Sequence, residues 1–287
     1  MNDTMVPKSR LIFAISVVLL TAMSPFASAQ NSSLKPRSSR SIDELFLFQP
    51  TKHPAGNWNP KGLEFRDVQF KSGDGTKLHG WYCPAQSPKA VVLYLHGNAG
   101  NITHRAGVLR YLQQKLNLTV FIFDYRGYGR SEGVATAEGV VADAEAARKN
   151  LAELSGVRES DVVVMGRSLG GAVAVQLVSD NKCRALVIES SFSSLKSVAK
   201  AHFPRLAWLV PGGKLNSAAD IAKYRGPLLQ SHGDADRVVP FTSGARLFQA
   251  AGEPKTFVRI SGGRHNDPQP VEYYQALNQF LGQLPKR

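Results

Sequence analysis

A serine between two glycines is the residue best placed to do chemistry in this chain. Ser168 stands in the segment Gly166-Arg-Ser-Leu-Gly170, directly after the β-branched run at 161–165. This pattern is typical of a nucleophile elbow, in which a strand turns sharply into a helix and exposes the serine hydroxyl. The flanking glycines leave room for the turn, because a Cβ there would press against neighbouring backbone. A serine that merely caps a helix is the alternative interpretation.

An aspartate and a histidine further along the chain would complete the chemistry. A serine hydroxyl is a poor nucleophile near neutral pH, so it needs a base, a group that orients the base, and donors for the developing oxyanion. Asp236 lies in a turn after a predicted strand at 226–230, and His265 lies in a glycine-rich loop after the next predicted strand. Together with Ser168, these positions predict a Ser-His-Asp triad.

Other acids and histidines near strand ends are competing candidates. Asp234 is expected to brace the turn before Asp236, and Glu189 follows the preceding predicted strand. Both acids stay open as alternatives for orienting the base. His96 and His232 precede glycines at strand ends, which favours packing or loop-bonding roles.

Three further polar residues are interpreted as structural. His202 lies in a segment without a glycine loop around it, and His79 lies in an outer predicted strand, where we expect it to be half-exposed. Asp124 ends a predicted strand and is expected to pair near Arg126 or Arg130. Contact between Asp124 and substrate is the open alternative.

The elements that would position these residues alternate between strands and helices. A predicted hairpin turns at 73–75 and is followed by strands at 90–95, 118–125, 161–165, 185–188, 226–230 and 255–260. Predicted helices cover 102–116, 137–154, 169–179, 242–251 and 271–284. Runs as apolar as 90–95 suit strands covered on both faces. The pattern therefore predicts an α/β fold with a mostly parallel sheet.

The alternation stops at 193–220, which we interpret as a short cap over the carboxyl edge of the sheet. This cap contains five apolar residues that would either line an acyl site or simply cover the sheet edge. They are Phe203, Leu206, Trp208, Leu209 and Val210.

Five motifs carry a resemblance to a known family. They are LYLHGNAGN at 93–101, FDYRGYGRSEG at 123–133, GRSLGG at 166–171, HGDADRVVP at 232–240 and GGRHND at 262–267. In these motifs and their order, the chain resembles the α/β-hydrolase superfamily over about residues 41–284. It is most similar to a small-capped branch that includes membrane-associated depalmitoylating thioesterases and many bacterial hydrolases.

The resemblance implies an eight-stranded sheet and a role for each candidate residue. Ser168 would be the nucleophile, His265 the general base and then acid, and Asp236 the residue that holds the imidazole tautomer. The backbone N–H of Leu169 would be one oxyanion donor, and that of Asn98 the other. Ala99 is the alternative to Asn98.

We therefore expect a serine hydrolase that cleaves a carboxylic ester or thioester through an acyl-enzyme, on a small-molecule or lipid-like acyl substrate. Amide or peptide cleavage by the same triad is an alternative. So is a non-catalytic binding protein on a hydrolase fold. A dehalogenase would place an acid, not Ser168, at the elbow.

The first residues indicate export. Lys8 and Arg10 precede an apolar run at 11–23, and Ala27-Ser-Ala29 follows it, which is the pattern of a secretory signal peptide at 1–29. The run is shorter than the roughly 20 residues of a membrane-spanning helix. We expect a secreted or periplasmic protein with a flexible lead-in at 30–40 and a hydrolase domain at 41–287. An uncleaved membrane anchor is the alternative.

The chain is strongly basic, with a net charge of +13. Cleavage after Ala29 would leave 33 basic and 21 acidic residues, a net charge of +12. Such a charge favours encounters with anionic surfaces such as lipid head groups. The sequence has no nucleic-acid-binding motif and no metal-ligand spacing, so we expect neither nucleic acid nor a metal or other cofactor. The oligomeric state is open.

Cys83 and Cys183 are the two cysteines of the chain. If they lie at the second and sixth strands, the family sheet order separates them by four strand spacings, roughly 19 Å at about 4.8 Å each. A disulfide tolerates only about 7 Å between Cα atoms. We therefore predict two free thiols.

Overall fold

The structure is a computed structural model that describes residues 47–180, 183–202, 204–205, 207–209, 213 and 215–285. One eight-stranded sheet runs through these residues. Its strands are β1 Arg66–Lys71, β2 Lys77–Cys83, β3 Ala90–Leu95, β4 Leu118–Asp124, β5 Val162–Arg167, β6 Ala185–Glu189, β7 Leu228–Gly233 and β8 Lys255–Ile260.

The strands lie in the order β1-β2-β4-β3-β5-β6-β7-β8. The pairings of β1 with β2 and of β2 with β4 are antiparallel, and all other pairings in this sheet are parallel. The predicted α/β fold with a mostly parallel eight-stranded sheet is confirmed. The carboxyl ends of β3 and of β5 to β8 therefore meet at one edge, where the candidate residues follow them.

The helices in the described part of the chain follow the strands in sequence. They are α1 Ala106–Gln114, α2 Ala137–Ser155, α3 Leu169–Leu177, α4 Leu195–His202, α5 Ser217–Ile221, α6 Phe241–Ala250 and α7 Val271–Gln283. A 3-10 turn at Ile102–Arg105 precedes α1, so the predicted helix at 102–116 is in two parts.

Both faces of the central strands are buried. In β3, Val91 and Leu93 pack on the face covered by α2, α3 and α6, whereas Val92 and Tyr94 pack on the face covered by α1 and α7. Burial of an aliphatic side chain contributes about 1.5–3 kcal/mol. This double coverage explains why the strands read as continuous apolar runs, and it makes the sheet a rigid base for the site.

Helix α2 begins and ends at residues that the sequence marks. The Thr136 hydroxyl accepts a hydrogen bond from the Gly139 amide, which satisfies a free N–H of the first turn. Gly156 has φ 63°, the left-handed conformation in which glycine commonly ends a helix. The predicted helix at 137–154 is therefore observed within one residue.

The described part of 193–220 contains α4, a 3-10 turn at Ala207–Leu209, and α5. Trp208 is 73% exposed to solvent. The apolar roof of the predicted cap stays a prediction, because three of its residues lie outside the described ones: Phe203, Leu206 and Val210.

The predicted signal peptide at 1–29 and lead-in at 30–40 also lie outside the described residues, so both stay predictions. Among the helices that the structure describes, none combines the length and the apolar character needed to cross a membrane.

Cys83 and Cys183 are both buried and are not joined in a disulfide. Cys83 ends β2, and Cys183 lies two residues before β6, so four strand spacings separate them, as predicted. Burial raises the pKa of the Cys83 thiol to about 12.

Thiol titration should distinguish the native from the denatured chain. Denatured, unreduced protein should react with two equivalents of Ellman's reagent. Folded protein should react slowly at pH 8, because buried thiols have little thiolate and little access to the reagent. No reactive thiol in the denatured chain would indicate a disulfide and would contradict the strand order.

Candidate active site

Ser168 lies at the turn between β5 and α3, in a backbone conformation that side chains rarely adopt. Its φ is 55° and its ψ is −117°, and its hydroxyl does not cap the helix. The Ser168 amide donates to the Glu189 carbonyl (2.8 Å), and the Ser168 carbonyl accepts from the Gly171 amide and the Ser191 hydroxyl. The turn therefore has the geometry of the predicted elbow, with its backbone secured on both sides.

Glycines allow the strand and helix to approach closely at this turn. A Cβ on Gly166 would overlap the carbonyl of Gly170, and a Cβ on Gly170 would overlap the carbonyl of Leu95 at the end of β3. Any larger residue at either position would push α3 away from the sheet. These contacts are the physical reason for the glycine spacing in the motif.

A chain of hydrogen bonds joins the three residues predicted as a triad. His265 Nε2 lies 3.0 Å from Ser168 Oγ, and His265 Nδ1 lies 2.7 Å from Asp236 Oδ2. His265 and Asp236 are buried, and Ser168 is partly exposed. Ser168 and His265 are 97 residues apart in sequence, so only the sheet brings them together.

The remaining oxygen of the Asp236 carboxylate is also satisfied. Its Oδ1 accepts hydrogen bonds from the amides of Val238 and Val239, each 2.8 Å long. Burial acts to raise the pKa of Asp236, but the hydrogen bond and charge of His265 and these two amides outweigh it. The pKa therefore lies below its ordinary value, and Asp236 stays ionised near neutral pH.

Asp234 braces the loops that carry Asp236 and His265. Its carboxylate accepts from the Gly262 amide (2.7 Å) and from Arg259 Nε (3.0 Å). Its bonds thus reach the loop after β8, rather than only its own turn as predicted. Asp234 does not contact His265 among the described hydrogen bonds.

Glu189, the other alternative acid, lies at the end of β6 and is fully buried. Neither carboxylate oxygen accepts a hydrogen bond within the described chain. Burial raises the pKa of Glu189, while the charge of Arg167 and the neighbouring Tyr273 and Gln269 act in the opposite direction. Asp236, not Glu189, occupies the position beside the His265 imidazole.

The two amides predicted as oxyanion donors lie on either side of the elbow. In the part of the chain that the structure describes, neither the Leu169 N–H nor the Asn98 N–H donates to a protein acceptor. The Asn98 carbonyl is held by the Tyr128 hydroxyl (2.6 Å). A Cβ on Gly97 would lie 3.7 Å from Ser168 Cβ, so this loop passes close to the nucleophile.

A short parallel pair, Gln49–Pro50 with Ala99–Gly100, secures the far side of the same loop. The sequence did not predict this pair, since two residues carry no periodic signal. Ala99 is exposed, and its carbonyl accepts from Arg105 Nη2 (2.9 Å). The choice between Asn98 and Ala99 as donor stays a prediction.

The other histidines at strand ends have loop-bonding or packing roles. His232 Nε2 is 2.9 Å from the Val239 carbonyl, and His96 Nδ1 is 2.7 Å from the Gly97 carbonyl. Burial lowers the pKa of both imidazoles, that of His96 to about 3. His202 lies 2.7 Å from the carbonyl of Val238 on the surface.

Two expectations about β2 and β4 are wrong. His79 is buried rather than half-exposed, because its strand lies between β1 and β4 and the Trp58 ring packs against its imidazole. Its Nε2 lies 2.6 Å from the Asp67 carboxylate on β1. Asp124 pairs with neither predicted arginine side chain. It accepts from the Ile102 amide and lies 3.9 Å from His79 Nδ1. Arg126 instead binds Asp143 of α2.

Arg130, the second predicted partner of Asp124, is directed elsewhere. Its guanidinium lies 3.4 Å from Asp67 and stacks over the ring of Trp58. Because Asp124 is fully buried beneath the loop after β3, contact between Asp124 and substrate is not supported.

A groove of about 820 Å³ lies between β1 and α2, and no triad residue lines it. Among the residues that the structure describes, no group of three or more metal-ligating side chains is arranged to hold a metal ion.

Arg167 is a residue near the site to which the sequence assigned no role. Strand β5 runs two residues past its predicted end, because Gly166 and Arg167 still pair with Ile188 and Glu189 of β6. The Arg167 guanidinium donates to the carbonyls of His265 (2.6 Å) and Asp267 (3.0 Å). Its only signal in the sequence is its place beside the nucleophile.

Known proteins share sequence with this chain. Residues 86–223 match the family model described as serine aminopeptidase, S33. The uncharacterised protein Rv2307c of Mycobacterium tuberculosis (strain ATCC 25618 / H37Rv) is 39% identical over 226 residues, 75% of this chain and 79% of that protein. The α/β-hydrolase domain-containing protein WAV2 of Arabidopsis thaliana is 35% identical over 226 residues, 71% and 73% of the two chains.

A solved structure shares the fold at lower identity. The Pyrococcus furiosus esterase Pf2001 superposes with a TM-score of 0.69 at 23% identity, over 83% of this chain and 98% of that chain. The relatives and the sheet order agree with one another, and the chain belongs to the α/β-hydrolase superfamily.

Proposed function

We propose that the chain is a serine hydrolase that cleaves a carboxylic ester or thioester through an acyl-enzyme. The observation that carries the proposal is the hydrogen-bonded chain from Asp236 through His265 to Ser168, with the serine at a strained turn. A capping or packing serine needs neither the turn nor the buried base. Both features are what a nucleophile with a general base requires.

The proposed reaction begins when Ser168 Oγ bonds to the substrate carbonyl carbon as its proton passes to His265 Nε2. The carbonyl oxygen gains the negative charge and accepts from the Leu169 and Asn98 amides. Collapse of this intermediate breaks the C–O or C–S bond, and His265 gives its proton to the leaving alcohol or thiol. Water then attacks the carbonyl carbon of the acyl-enzyme as its proton passes to His265. The bond to Ser168 Oγ breaks, the acid is released, and His265 returns the proton to the serine. Asp236 stabilises the imidazolium and holds its Nδ1–H.

Amide or peptide cleavage is the second candidate. It is favoured by the description of the matched family model, serine aminopeptidase. The same triad serves both reactions, which differ mainly in how the leaving group is held and protonated. A substrate panel distinguishes them, because a peptidase would turn over aminoacyl amides faster than matched esters.

Loss of the nucleophile should abolish both labelling and turnover. Wild-type protein should react covalently with a fluorophosphonate probe and hydrolyse short and long acyl esters or thioesters. Ser168→Ala should remove the label and lower turnover by about 10⁶, because the residue forms the acyl bond. Mass spectrometry of the labelled protein and a chromogenic ester assay make the two measurements.

Ser179→Ala is the matched control for Ser168→Ala, because the Ser179 hydroxyl bonds the Gln176 carbonyl at the end of α3 that lies away from the elbow. It should keep the label. A folded wild type that neither labels nor turns over any member of the panel would favour a binding protein on the hydrolase fold.

The three candidate acids should differ in their effect on rate. Asp236→Asn should lower kcat by about 10⁴, because the imidazole loses the partner that fixes its tautomer. Asp234→Asn and Glu189→Gln should each keep kcat within about tenfold, since neither carboxylate contacts His265. Steady-state kinetics on one soluble ester, with circular dichroism to check folding, make the comparison. If Glu189→Gln were inactive while Asp236→Asn remained active, Glu189 rather than Asp236 would be the acid that orients His265.

We also propose that the substrate is lipid-like and is met at an anionic surface. Arg237 and Arg264 are exposed and lie next in sequence to Asp236 and His265, so positive charge flanks the site. Trp208 is exposed in the segment predicted as a cap. Exposed cations and an exposed indole suit the head-group region of a lipid layer.

Hydrolysis of a long-chain ester embedded in vesicles should depend on lipid charge and on salt. The rate should be higher on vesicles with anionic lipid than on zwitterionic vesicles at low ionic strength. That difference should shrink above about 0.5 M salt, because screening removes the attraction. A soluble short-chain ester in the same suspensions serves as control and should show neither dependence. Equal rates on both vesicle types would contradict this proposal.

A further inference from the structure

Arg167 joins the nucleophile strand to the loop that carries the histidine. It is the last residue of β5 and is directly followed by Ser168. Its Nη2 donates to two backbone carbonyls of that loop, His265 (2.6 Å) and Asp267 (3.0 Å). The Arg167 side chain thus connects the backbone of His265, the proposed base, to the end of the strand that carries Ser168.

The loop has little apolar support at this point. Arg264, Asn266 and Asp267 are exposed, and His265 between them is the buried member. A cavity of about 10 Å³ lies under the loop, and its lining includes Arg167 and the buried Gln269. Close packing holds the loop at Gly263, against Gly233 and Ile260, whereas at 264–267 hydrogen bonds help to determine where the backbone lies.

The loop also has hydrogen bonds of its own, which define its local shape. The Arg264 amide donates to the Asp267 carboxylate (2.9 Å), and the Asp267 amide donates to the Arg264 carbonyl (3.2 Å). These bonds join residues within the loop and do not attach it to the sheet. The Arg167 guanidinium supplies an attachment to β5 beside His265.

Glu189 is a buried carboxyl group that lies next to Arg167 in the sheet. The two residues pair in register at the ends of β5 and β6. Glu189 is fully buried, and neither of its carboxylate oxygens has a hydrogen-bond partner within the described residues. Burial raises the pKa of Glu189, and the charge of Arg167 acts in the opposite direction.

We infer that Arg167 is a positioning residue, which holds the His265 backbone so that the imidazole reaches both Ser168 and Asp236. The inference rests on the proposed hydrolase function. Within the described residues, both hydrogen bonds from Arg167 to the loop go to backbone carbonyl oxygens, so Arg167 acts through the position of His265. A misplacement of about 1 Å in a catalytic group costs on the order of 10² in rate.

Substitutions of Arg167 should lower kcat far more than they change KM. Arg167→Met removes both hydrogen bonds and the charge, and should lower kcat about 100-fold with KM within about threefold on a short soluble ester. Arg167→Lys keeps the charge and a nitrogen with several N–H donors. It should recover only part of the loss, since the lysine side chain is one bond shorter than the path to Nη2. Fluorophosphonate labelling should slow in parallel.

Arg158→Gln is the matched control, because Arg158 lies just before the opposite end of β5 and pairs with Asp161 on the surface. It should leave kcat and labelling unchanged. All rates are normalised to the folded fraction from circular dichroism at the assay temperature. A loss in Arg167→Met that disappears on this normalisation, or rates equal to wild type, would overturn the inference.

A second measurement separates this inference from the proposed function. The proton between His265 Nδ1 and Asp236 should give a low-field NMR signal in wild-type protein, whether or not a substrate is known. Arg167→Met should weaken or shift that signal, and Arg158→Gln should not. An unchanged signal in Arg167→Met would refute the positioning role, whereas an inactive wild type with the expected signal change would refute only the hydrolase proposal.

Discussion

The parallel register of β5 to β8 is the constraint on which the rest of the site depends. Ile260 pairs with Gly233, and Arg167 pairs with Glu189, so adjacent strands end at the same level of the sheet. Ser168 follows β5 directly, while Asp236 and His265 reach the site from loops after β7 and β8. A shift of register by one residue would invert the faces of a strand and separate these groups. The apolar cores on both faces resist such a shift, because they are densely packed.

Backbone strain at Ser168 is the second feature, and the surrounding contacts outweigh it. A non-glycine residue in this conformation costs of the order of 1–3 kcal/mol. The Glu189 carbonyl, the Gly171 amide and the Ser191 hydroxyl bind the serine backbone directly, and Gly166 and Gly170 let the helix approach the sheet. Because these groups hold the backbone, the Ser168 hydroxyl is not needed to stabilise the turn. Among the described groups, it contacts His265. Such strain is commonly concentrated at functional sites, where the fold holds a reactive group in place.

Three acidic side chains near the site have different partners. Asp236 is ionised beside the imidazole, Asp234 joins the two neighbouring loops, and Glu189 lies buried opposite Arg167. Burial of an unpaired charge costs several kcal/mol, so such groups persist only where neighbours compensate. Two loop amides and His265 compensate Asp236, and the Gly262 amide with the Arg259 side chain compensates Asp234. Glu189 lacks a hydrogen-bond partner among the described groups, and burial raises its pKa. A rigid sheet with polar attachments to its loops is a suitable support for a reactive serine.

The sequence by itself determined the elements and the order of the reactive residues. Apolar runs such as 90–95 and the glycine spacing around Ser168 are local signals, and they predicted the strands, the elbow and, through the family resemblance, Asp236 and His265. Tertiary structure alone decided which groups meet. His79 bonds to Asp67 on the next strand, Asp124 lies under a distant loop, and Arg167 reaches residues about 100 positions later. Local patterns report which face of an element is apolar, whereas such pairings depend on strand register and loop path between segments far apart in the chain.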